Sequence, residues 1–138
     1  MVFHIENGKA RSPSILPRNG FTLLELLVVV AIVTTLLTIA VPRYLGAVDR
    51  ARDAVLRENL SSLRDAIDKY YSDRGRYPDK LEDLVGGRYL RNIPLDPVTE
   101  SRITWILIAP PSAQAGKVYD VRSGAPGKSR DGIAYSRL

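Results

Sequence analysis

One carboxylate near the start of a long apolar stretch defines the chemistry that this chain could carry. The stretch covers residues 21–41, and Glu25 is the only charged side chain in it. An acid at mid-membrane costs about 2.5 to 3.5 kcal/mol on insertion scales, but each leucine, isoleucine or valine contributes about −0.3 to −0.6 kcal/mol. The stretch should therefore insert into a bilayer, and the acid needs a chemical reason to be there.

A glycine at the border of the apolar stretch marks a candidate cleavage site. A cut between Gly20 and Phe21 would remove a charged leader and leave a free amine one helical turn from Glu25. A secretory signal peptide is cut after its apolar region, which is then lost, whereas this cut would keep that region. Gly20 and Phe21 are thus the predicted processing residues. The alternative is an uncleaved anchor, with Glu25 at the membrane interface or protonated.

The apolar stretch and its flank predict a single membrane-spanning helix. About twenty apolar residues in a helix cross the hydrocarbon core of a bilayer, which is about 30 Å thick. The leader, residues 1–20, carries Lys9, Arg11 and Arg18 against one acid, Glu6. Such an excess of positive charge holds a short N-terminal segment in the cytoplasm. Everything after the span would then be exported.

A second helical half, residues 42–73, should continue from the span as an amphipathic stem. Pro42 has no amide hydrogen, so we expect it to kink or locally open the helix without ending it. Gly75 and Pro78 should stop the helix. The apolar residues of the stem recur at steps of three, four and five positions, as in Val48, Ala51, Val55, Leu60, Leu63, Ile67 and Tyr70. This face needs a cover, which the rest of the chain can provide.

Residues 74–138 predict a small domain of loops and antiparallel strands. The spacing of Asp79 and Glu82 is that of a capping box, and it predicts a short helix through Val85. Residues 103–109 are rich in branched and aromatic side chains, which favours a buried strand with residues 118–122 as its partner. A third short strand is expected at 133–135. The fold class is therefore α+β, with one long helix packed on a small antiparallel sheet.

Composition excludes several classes of function. The 138 residues contain no cysteine, so disulfides, cysteine-bound metals and thiol nucleophiles are absent. The single histidine, His4, lies in the leader, and no constellation of catalytic residues is visible, so we expect no enzyme. The net charge of +5 comes from basic residues interleaved with acids, which favours a solvated surface over nucleic-acid binding.

The N-terminal residues resemble those of a known protein class. Residues 20–30 (GFTLLELLVVV), closed by Pro42 at the end of the span, resemble the type IV prepilins, which include pilins and the pseudopilins of type II secretion. The resemblance implies cleavage after Gly20 by an inner-membrane prepilin peptidase and N-methylation of Phe21. It also implies a helical filament in which Glu25 meets the Phe21 amine of a neighbouring subunit. A carboxylate and an ammonium attract strongly in a low dielectric, where either alone is unfavourable.

The exported part resembles the G-type major pseudopilin of type II secretion systems. The matching segments are residues 76–78 (RYP), 89–97 (YLRNIPLDP) and 119–125 (YDVRSGA). This resemblance implies a pilin-like fold and a structural subunit of a pseudopilus that drives protein export. Its alternatives are a major or minor type IV pilin and, in a different class, a monomeric membrane-anchored binding module.

The same resemblance implies a location and a set of partners. The chain would lie in the bacterial inner membrane as a single-pass protein with its C-terminal domain in the periplasm. Its partners would be further copies of itself, minor pseudopilins, an inner-membrane assembly platform, prepilin peptidase and the lipid bilayer. Mechanical energy would come from a partner ATPase, because the chain has no nucleotide-binding motif.

A calcium ion in the C-terminal loop is a further implication of the resemblance. In this chain the C-terminal loop, residues 123–132, reads SGAPGKSRDG, and Pro126 stands where the family has an acid. Only Asp131 matches a calcium ligand there, whereas calcium prefers six to eight oxygens with several carboxylates. The sequence therefore favours a domain without a cofactor, with Asp131 as the candidate metal ligand if calcium does bind.

Overall fold

The described residues form one long helix followed by short elements. The computed structural model describes residues 1–2, 8, 19–113 and 115–138, so most of the predicted leader lies outside the described residues. The elements are, in chain order, α1 (Leu23–Arg74), α2 (Glu82–Gly86), β1 (Trp105–Ile108), β2 (Asp120–Ser123) and a 3-10 turn (Tyr135–Arg137). A long N-terminal helix with a small antiparallel sheet confirms the predicted α+β, pilin-like class.

Helix α1 contains 52 residues and continues through Pro42, as the sequence predicts. It ends where the amide of Gly75 donates to the carbonyl of Tyr71 at 2.8 Å. Gly75 has a φ of +65°, a left-handed conformation that glycine adopts without steric cost and that commonly closes helices. The chain divides into two compact units, residues 1–39 and residues 40–138.

The first unit has no core of its own among the described residues. The large apolar side chains from Phe21 to Ile39 are all exposed, with Phe21 at 87% and Ile39 at 59%. In the part of the chain that the structure describes, α1 is the one helix that is long and apolar enough to cross a membrane. An apolar surface of this extent requires lipid or other protein around it.

The second unit has a continuous hydrophobic core. One face of α1 packs against residues from α2, both strands and the loops between them. Its buried members are Leu56, Leu60, Leu63, Ala66, Ile67, Tyr70, Tyr77, Leu81, Leu84, Trp105, Val118 and Val121. The amphipathic stem is therefore covered by the rest of the chain, as expected.

The phase of the buried face differs from the predicted one at the beginning of the stem. Val55 was expected to be buried, but it is 48% exposed, and the neighbouring Leu56 is fully buried. Asp53 is also buried, with 9% of its surface exposed. The buried positions 53, 56, 60, 63, 67 and 70 are three and four residues apart, which is the true helical repeat.

The start of α2 also differs from the prediction. Asp79 does not cap the helix, which begins at Glu82. The carboxylate of Asp83 instead accepts the backbone amides of Asp79 at 3.0 Å and of Lys80 at 3.2 Å. The acid that accepts these amides is therefore Asp83, one residue after the Glu82 that the capping-box spacing predicts.

The sheet contains two antiparallel strands among the described residues. Trp105 of β1 lies opposite Ser123 of β2, and Ile108 lies opposite Asp120. The expectation of a buried first strand is wrong, because only Trp105 is buried and the middle of β1 is exposed. The expected third strand is also wrong, because residue 134 makes only an isolated bridge with residue 128, and a 3-10 turn follows it.

Candidate functional site

A reciprocal pair of hydrogen bonds closes the beginning of α1. The backbone amide of Glu25 donates to the hydroxyl of Thr22 at 3.2 Å, and the backbone amide of Thr22 donates to Oε2 of Glu25 at 3.3 Å. The hydroxyl of Thr22 also lies 3.4 Å from the same oxygen. This is a capping box, in which two otherwise unpaired helix-start donors are satisfied by the two side chains.

The carboxylate of Glu25 retains acceptor capacity. Its bonds to Thr22 involve Oε2 alone and exceed the usual N–H···O range of 2.7 to 3.2 Å. Within the described residues, Oε1 has no hydrogen-bond partner and Glu25 forms no ion pair. An ionised carboxylate can accept about four hydrogen bonds, so this one can still bind an ammonium group.

The predicted cleavage site lies just outside the helix. Gly20 and Phe21 precede the first helical residue, Leu23, and adopt no regular secondary structure. Gly20 is exposed, and the ring of Phe21 is 87% exposed. Exposed, irregular backbone of this kind is where proteases cut most readily. The geometry therefore agrees with processing between these residues, which itself stays a prediction.

Pro42 lies within α1, close to a group of threonines that bond to the helix itself. The hydroxyls of Thr34, Thr35 and Thr38 each donate to the carbonyl four residues earlier, at 2.8, 2.8 and 2.9 Å. These bonds satisfy three hydroxyl donors that would otherwise be unpaired in an apolar environment. Pro42 has no amide to offer the carbonyl of Thr38, so the helix has one backbone bond fewer at this place.

Thr22 is a residue of this site, in contact with Glu25, that the sequence reasoning missed. Its signal is legible, because Thr22 and Glu25 stand in the T-x-x-E spacing directly before an apolar run, which is the sequence signature of a helix start. Glu25 therefore has a local structural role in addition to any intermolecular one. The two roles require different variants to separate them.

Asp131, the candidate calcium ligand, is bound to a cation from the helix. Its Oδ2 lies 2.5 Å from Nη2 of Arg57 on α1. The described residues contain no group of three or more acidic or histidine side chains that could hold a metal ion. Lys128 and Arg130 add positive charge beside Asp131. This donor set does not fit calcium, which prefers several carboxylates and no competing cation.

Asp53 is a second residue that the sequence reasoning missed. Its Oδ2 accepts the backbone amide of Arg130 at 2.8 Å, and its Oδ1 accepts the phenol hydroxyl of Tyr135 at 2.9 Å. Burial raises the pKa of Tyr135 above its usual value, and the hydrogen bond to Asp53 raises it further. The signal was present, since Asp53 lies three residues before Leu56 in the buried helical repeat, at a position where an apolar residue is expected.

Comparison with known proteins finds a methylation motif at the beginning of α1. A family model described as "Prokaryotic N-terminal methylation motif" matches residues 16–41. These residues include the predicted cleavage site, Glu25 and most of the apolar stretch. No solved structure matches the chain significantly.

The similar curated proteins are subunits of two related systems. Type II secretion system core protein G of Xanthomonas campestris pv. campestris is 33% identical over 81 residues, which are 59% of this chain and 57% of that protein. Type IV major pilin protein PilA of Myxococcus xanthus is 41% identical over 69 residues, which are 49% of this chain and 31% of that protein. The chain thus spans about half the length of the first of these relatives and a third of the second.

A third relative covers more of its own length. Type II secretion system core protein G of Klebsiella pneumoniae is 33% identical over 96 residues, which are 58% of this chain and 69% of that protein. Proteins of the same name in Aeromonas hydrophila and Pseudomonas aeruginosa are each 31% identical over 96 residues. The chain therefore belongs to the family of type II secretion system core protein G, as its exported segments and its N-terminal motif had indicated.

Proposed function

We propose that the chain is a structural subunit of a type II secretion pseudopilus. It inserts into the inner membrane, loses its leader between Gly20 and Phe21, is N-methylated at Phe21 and polymerises into a filament that drives protein export. The chain acts mechanically and not as an enzyme. Support comes from relatives whose names describe secretion-system and pilus subunits.

The observation that carries this proposal is the incomplete bonding of Glu25 on an exposed apolar helix. The acid lies among side chains such as Leu24 and Leu26, which are 69% and 62% exposed, and one of its oxygens has no partner within the described residues. In lipid an isolated carboxylate is unfavourable, and a neighbouring ammonium removes that cost. A new N-terminal amine on Phe21 of an adjacent copy supplies such a group.

The proposal includes an orientation and further partners. The apolar helix and the methylation motif fit anchoring in the inner membrane. The leader then lies in the cytoplasm because of Lys9, Arg11 and Arg18, and residues 42–138 lie in the periplasm. Prepilin peptidase removes the leader, an assembly platform with its ATPase lifts each subunit, and minor pseudopilins join the same filament.

Two variants separate the pairing role of Glu25 from its capping role. Glu25→Gln removes the charge but keeps an oxygen for the bond from Thr22, since glutamine also serves in a capping box. Thr22→Val removes the cap and keeps the charge. Loss of a charged hydrogen bond, worth about 1.5 to 3 kcal/mol, should lower filament yield roughly 10- to 100-fold in Glu25→Gln. Thr22→Val should retain most of the filaments.

Filament yield is measured by sedimentation and electron microscopy after overexpression, and the mass of the mature chain reports cleavage and methylation. Glu58→Gln is the matched control, because Glu58 is an exposed acid of the same helix outside the apolar stretch. Normal filaments from Glu25→Gln together with few from Thr22→Val would mean that the acid is only a helix cap. The monomeric membrane-anchored binding module would be the better description only if the unchanged chain forms no filaments on overexpression.

A type IV pilin is the second candidate, and the 41% identity to the Myxococcus xanthus major pilin favours it. Both candidates use the same cleavage and the same pairing of Glu25, so these variants do not separate them. Deletion of the gene does. Loss of exported proteins from the culture medium with normal surface pili supports the pseudopilus, and the opposite result supports the pilus.

A further inference from the structure

The C-terminal loop is attached to the stem of α1 by several independent contacts. Asp53 accepts the amide of Arg130 at 2.8 Å, and the guanidinium of Arg130 donates to the carbonyl of Gly46 at 2.9 Å. Arg57 pairs with Asp131 in the same loop. Asp53 also accepts the hydroxyl of Tyr135, the first residue of the 3-10 turn that follows the loop. Helix residues thus hold the loop at the backbone and side chain of Arg130, at the side chain of Asp131 and just beyond its end at Tyr135.

Two backbone oxygens of the loop already accept hydrogen bonds. The carbonyl of Ser129 accepts the amide of Gly132 at 2.9 Å, and the carbonyl of Gly127 accepts the amide of Tyr135 at 3.2 Å. The nearby Asp96 is fully buried, and its two oxygens accept the hydroxyl of Ser123 at 2.5 Å and the amide of Val98 at 2.8 Å. The carbonyls of Gly127 and Ser129, both oxygens of Asp96 and one oxygen of Asp131 are therefore engaged within the protein.

One buried polar atom of the loop takes no part in these hydrogen bonds. The hydroxyl of Ser129 is buried and has no partner within the described residues. A single neutral oxygen does not make a calcium site, because calcium takes six to eight oxygens and several negative charges. With Lys128 and Arg130 on either side of Ser129, the local charge also opposes a cation.

We propose that Asp53 fastens the C-terminal loop to α1 in the place where the family resemblance implies a calcium ion, so that closure of this domain is independent of calcium. A carboxylate suits this task because it accepts hydrogen bonds with both oxygens, and each charge-assisted bond is stronger than a neutral one. Burial protects these bonds from water, since Asp53 is only 9% exposed. The inference concerns the second unit alone and holds whether or not the chain forms filaments.

The first test uses the full chain in detergent and calcium itself as the probe. Thermal unfolding is followed by near-ultraviolet circular dichroism with either 5 mM calcium chloride or 5 mM EGTA in the buffer, and calcium binding is measured by calorimetry. We expect the same transition temperature within about 1 °C in both buffers and no saturable calcium binding. A cation that binds only the native state would raise the transition temperature, because it stabilises that state by mass action.

The second test compares two acids of the same helix. Asp53→Asn replaces one of the two acceptor oxygens by an NH2 group, which then faces a hydrogen-bond donor. The transition temperature should therefore fall by at least about 4 to 8 °C. Asp65→Asn is the matched control, because Asp65 is an exposed acid of the same helix that forms no side-chain hydrogen bond or ion pair within the described residues. This control variant should shift the transition temperature by less than about 1 °C.

Two further variants cover the case in which Asp53→Asn does not fold. Tyr135→Phe removes one of the two hydrogen bonds to Asp53 without a change of charge. It should lower the transition temperature by less than Asp53→Asn does. Ser129→Ala should leave the transition unchanged or raise it, since the hydroxyl has no partner among the residues described. Equal effects of Asp53→Asn and Asp65→Asn would overturn the role of Asp53. Saturable calcium binding that is lost in Asp131→Asn or Ser129→Ala would overturn the independence from calcium.

Discussion

Helix α1 carries one acid in its apolar stretch, Glu25, and one in its buried helical repeat, Asp53, and the two are satisfied in different ways. Asp53 uses both oxygens in bonds of 2.8 and 2.9 Å to residues 77 and 82 positions away in the sequence. Glu25 uses one oxygen in bonds of 3.3 and 3.4 Å to a residue three positions away. The second unit thus satisfies its buried charge from within the same chain. In the first unit, the other oxygen of Glu25 has no partner within the described residues.

The apolar side chains of the two units differ in the same way. Leu60 in the second unit is 1% exposed, whereas Leu27 in the first is 59% exposed, although both belong to one helix. Burial of a leucine side chain contributes about 1.5 to 3 kcal/mol. In the second unit this energy stabilises the folded chain, and in the first it becomes available only on contact with lipid or with another subunit.

The largest expected effect is a contrast between these two leucines. Leu60→Ala should lower the free energy of unfolding of the second unit by about 2 to 5 kcal/mol, because it leaves a cavity in the core. Leu27→Ala should change that free energy by less than about 0.5 kcal/mol and reduce filament yield instead. Denaturant unfolding followed by near-ultraviolet circular dichroism measures the first quantity, and sedimentation of filaments measures the second. A loss of domain stability in Leu27→Ala as large as in Leu60→Ala would break the contrast.

A smaller effect is expected where two loops of the second unit meet. A Cβ atom on Gly116 would lie 2.1 Å from the carbonyl oxygen of Tyr77, and Gly116 has a φ of +107°. Gly116→Ala should therefore cost about 2 to 4 kcal/mol of stability, since it combines a clash with a strained backbone. Gly86→Ala is the control, because no atom lies within 4 Å of its added Cβ. An equal loss in both variants would show that the contact between the loops is unimportant.

A third prediction concerns how the stability of the second unit depends on pH, and it tests the hydrogen bond between Tyr135 and Asp53. Burial and the bond to Asp53 raise the pKa of Tyr135, so the folded state holds the phenol proton more tightly than the unfolded state, in which tyrosine titrates near pH 10. This stabilisation is complete below about pH 10 and is lost as the pH rises through the higher pKa of the folded state. Unfolding measured from pH 8 to pH 11 should show the fall, and Tyr135→Phe should show less of it. Identical profiles would remove the titration of Tyr135 as its cause.

The smallest effect is expected from the ion pair at the surface of the loop. Arg57 and Asp131 are both about half exposed or more, with side-chain exposures of 46% and 62%. A double-mutant cycle with Arg57→Gln and Asp131→Asn should give a coupling below about 1 kcal/mol that disappears in 0.5 M salt. A larger coupling that resists salt would mean that this pair, and not Asp53, holds the loop.

Local patterns in the sequence predict much of this structure. The continuity of α1 through Pro42, the covered face of the stem and the presence of a strand pair all follow from periodicity and turn residues. The error at Val55 came from accepting a step of five residues before Leu60, where the helical repeat requires Leu56 and therefore Asp53 on the same face. A stricter use of the repeat would have identified the buried acid.

The remaining features depend on contacts that sequence patterns do not contain. The bond between Asp53 and the amide of Arg130 joins residues 77 positions apart, so no local rule indicates it. Exposure of the middle of β1 follows from a sheet that has two strands within the described residues, so that a branched residue such as Ile106 can lie on an uncovered face. Propensity describes the strand but not which of its faces is covered.

The position of Trp105 provides an optical reporter that needs no label. It is the only tryptophan of the chain, and it is buried at the start of β1 with its indole Nε1 donating to the carbonyl of Pro94 at 3.0 Å. Its fluorescence therefore comes from one place in the second unit and should move to longer wavelength when water reaches the ring. The opening of this domain can thus be followed by emission alone in vesicles that contain only this purified protein, separately from any event at the apolar end of the helix.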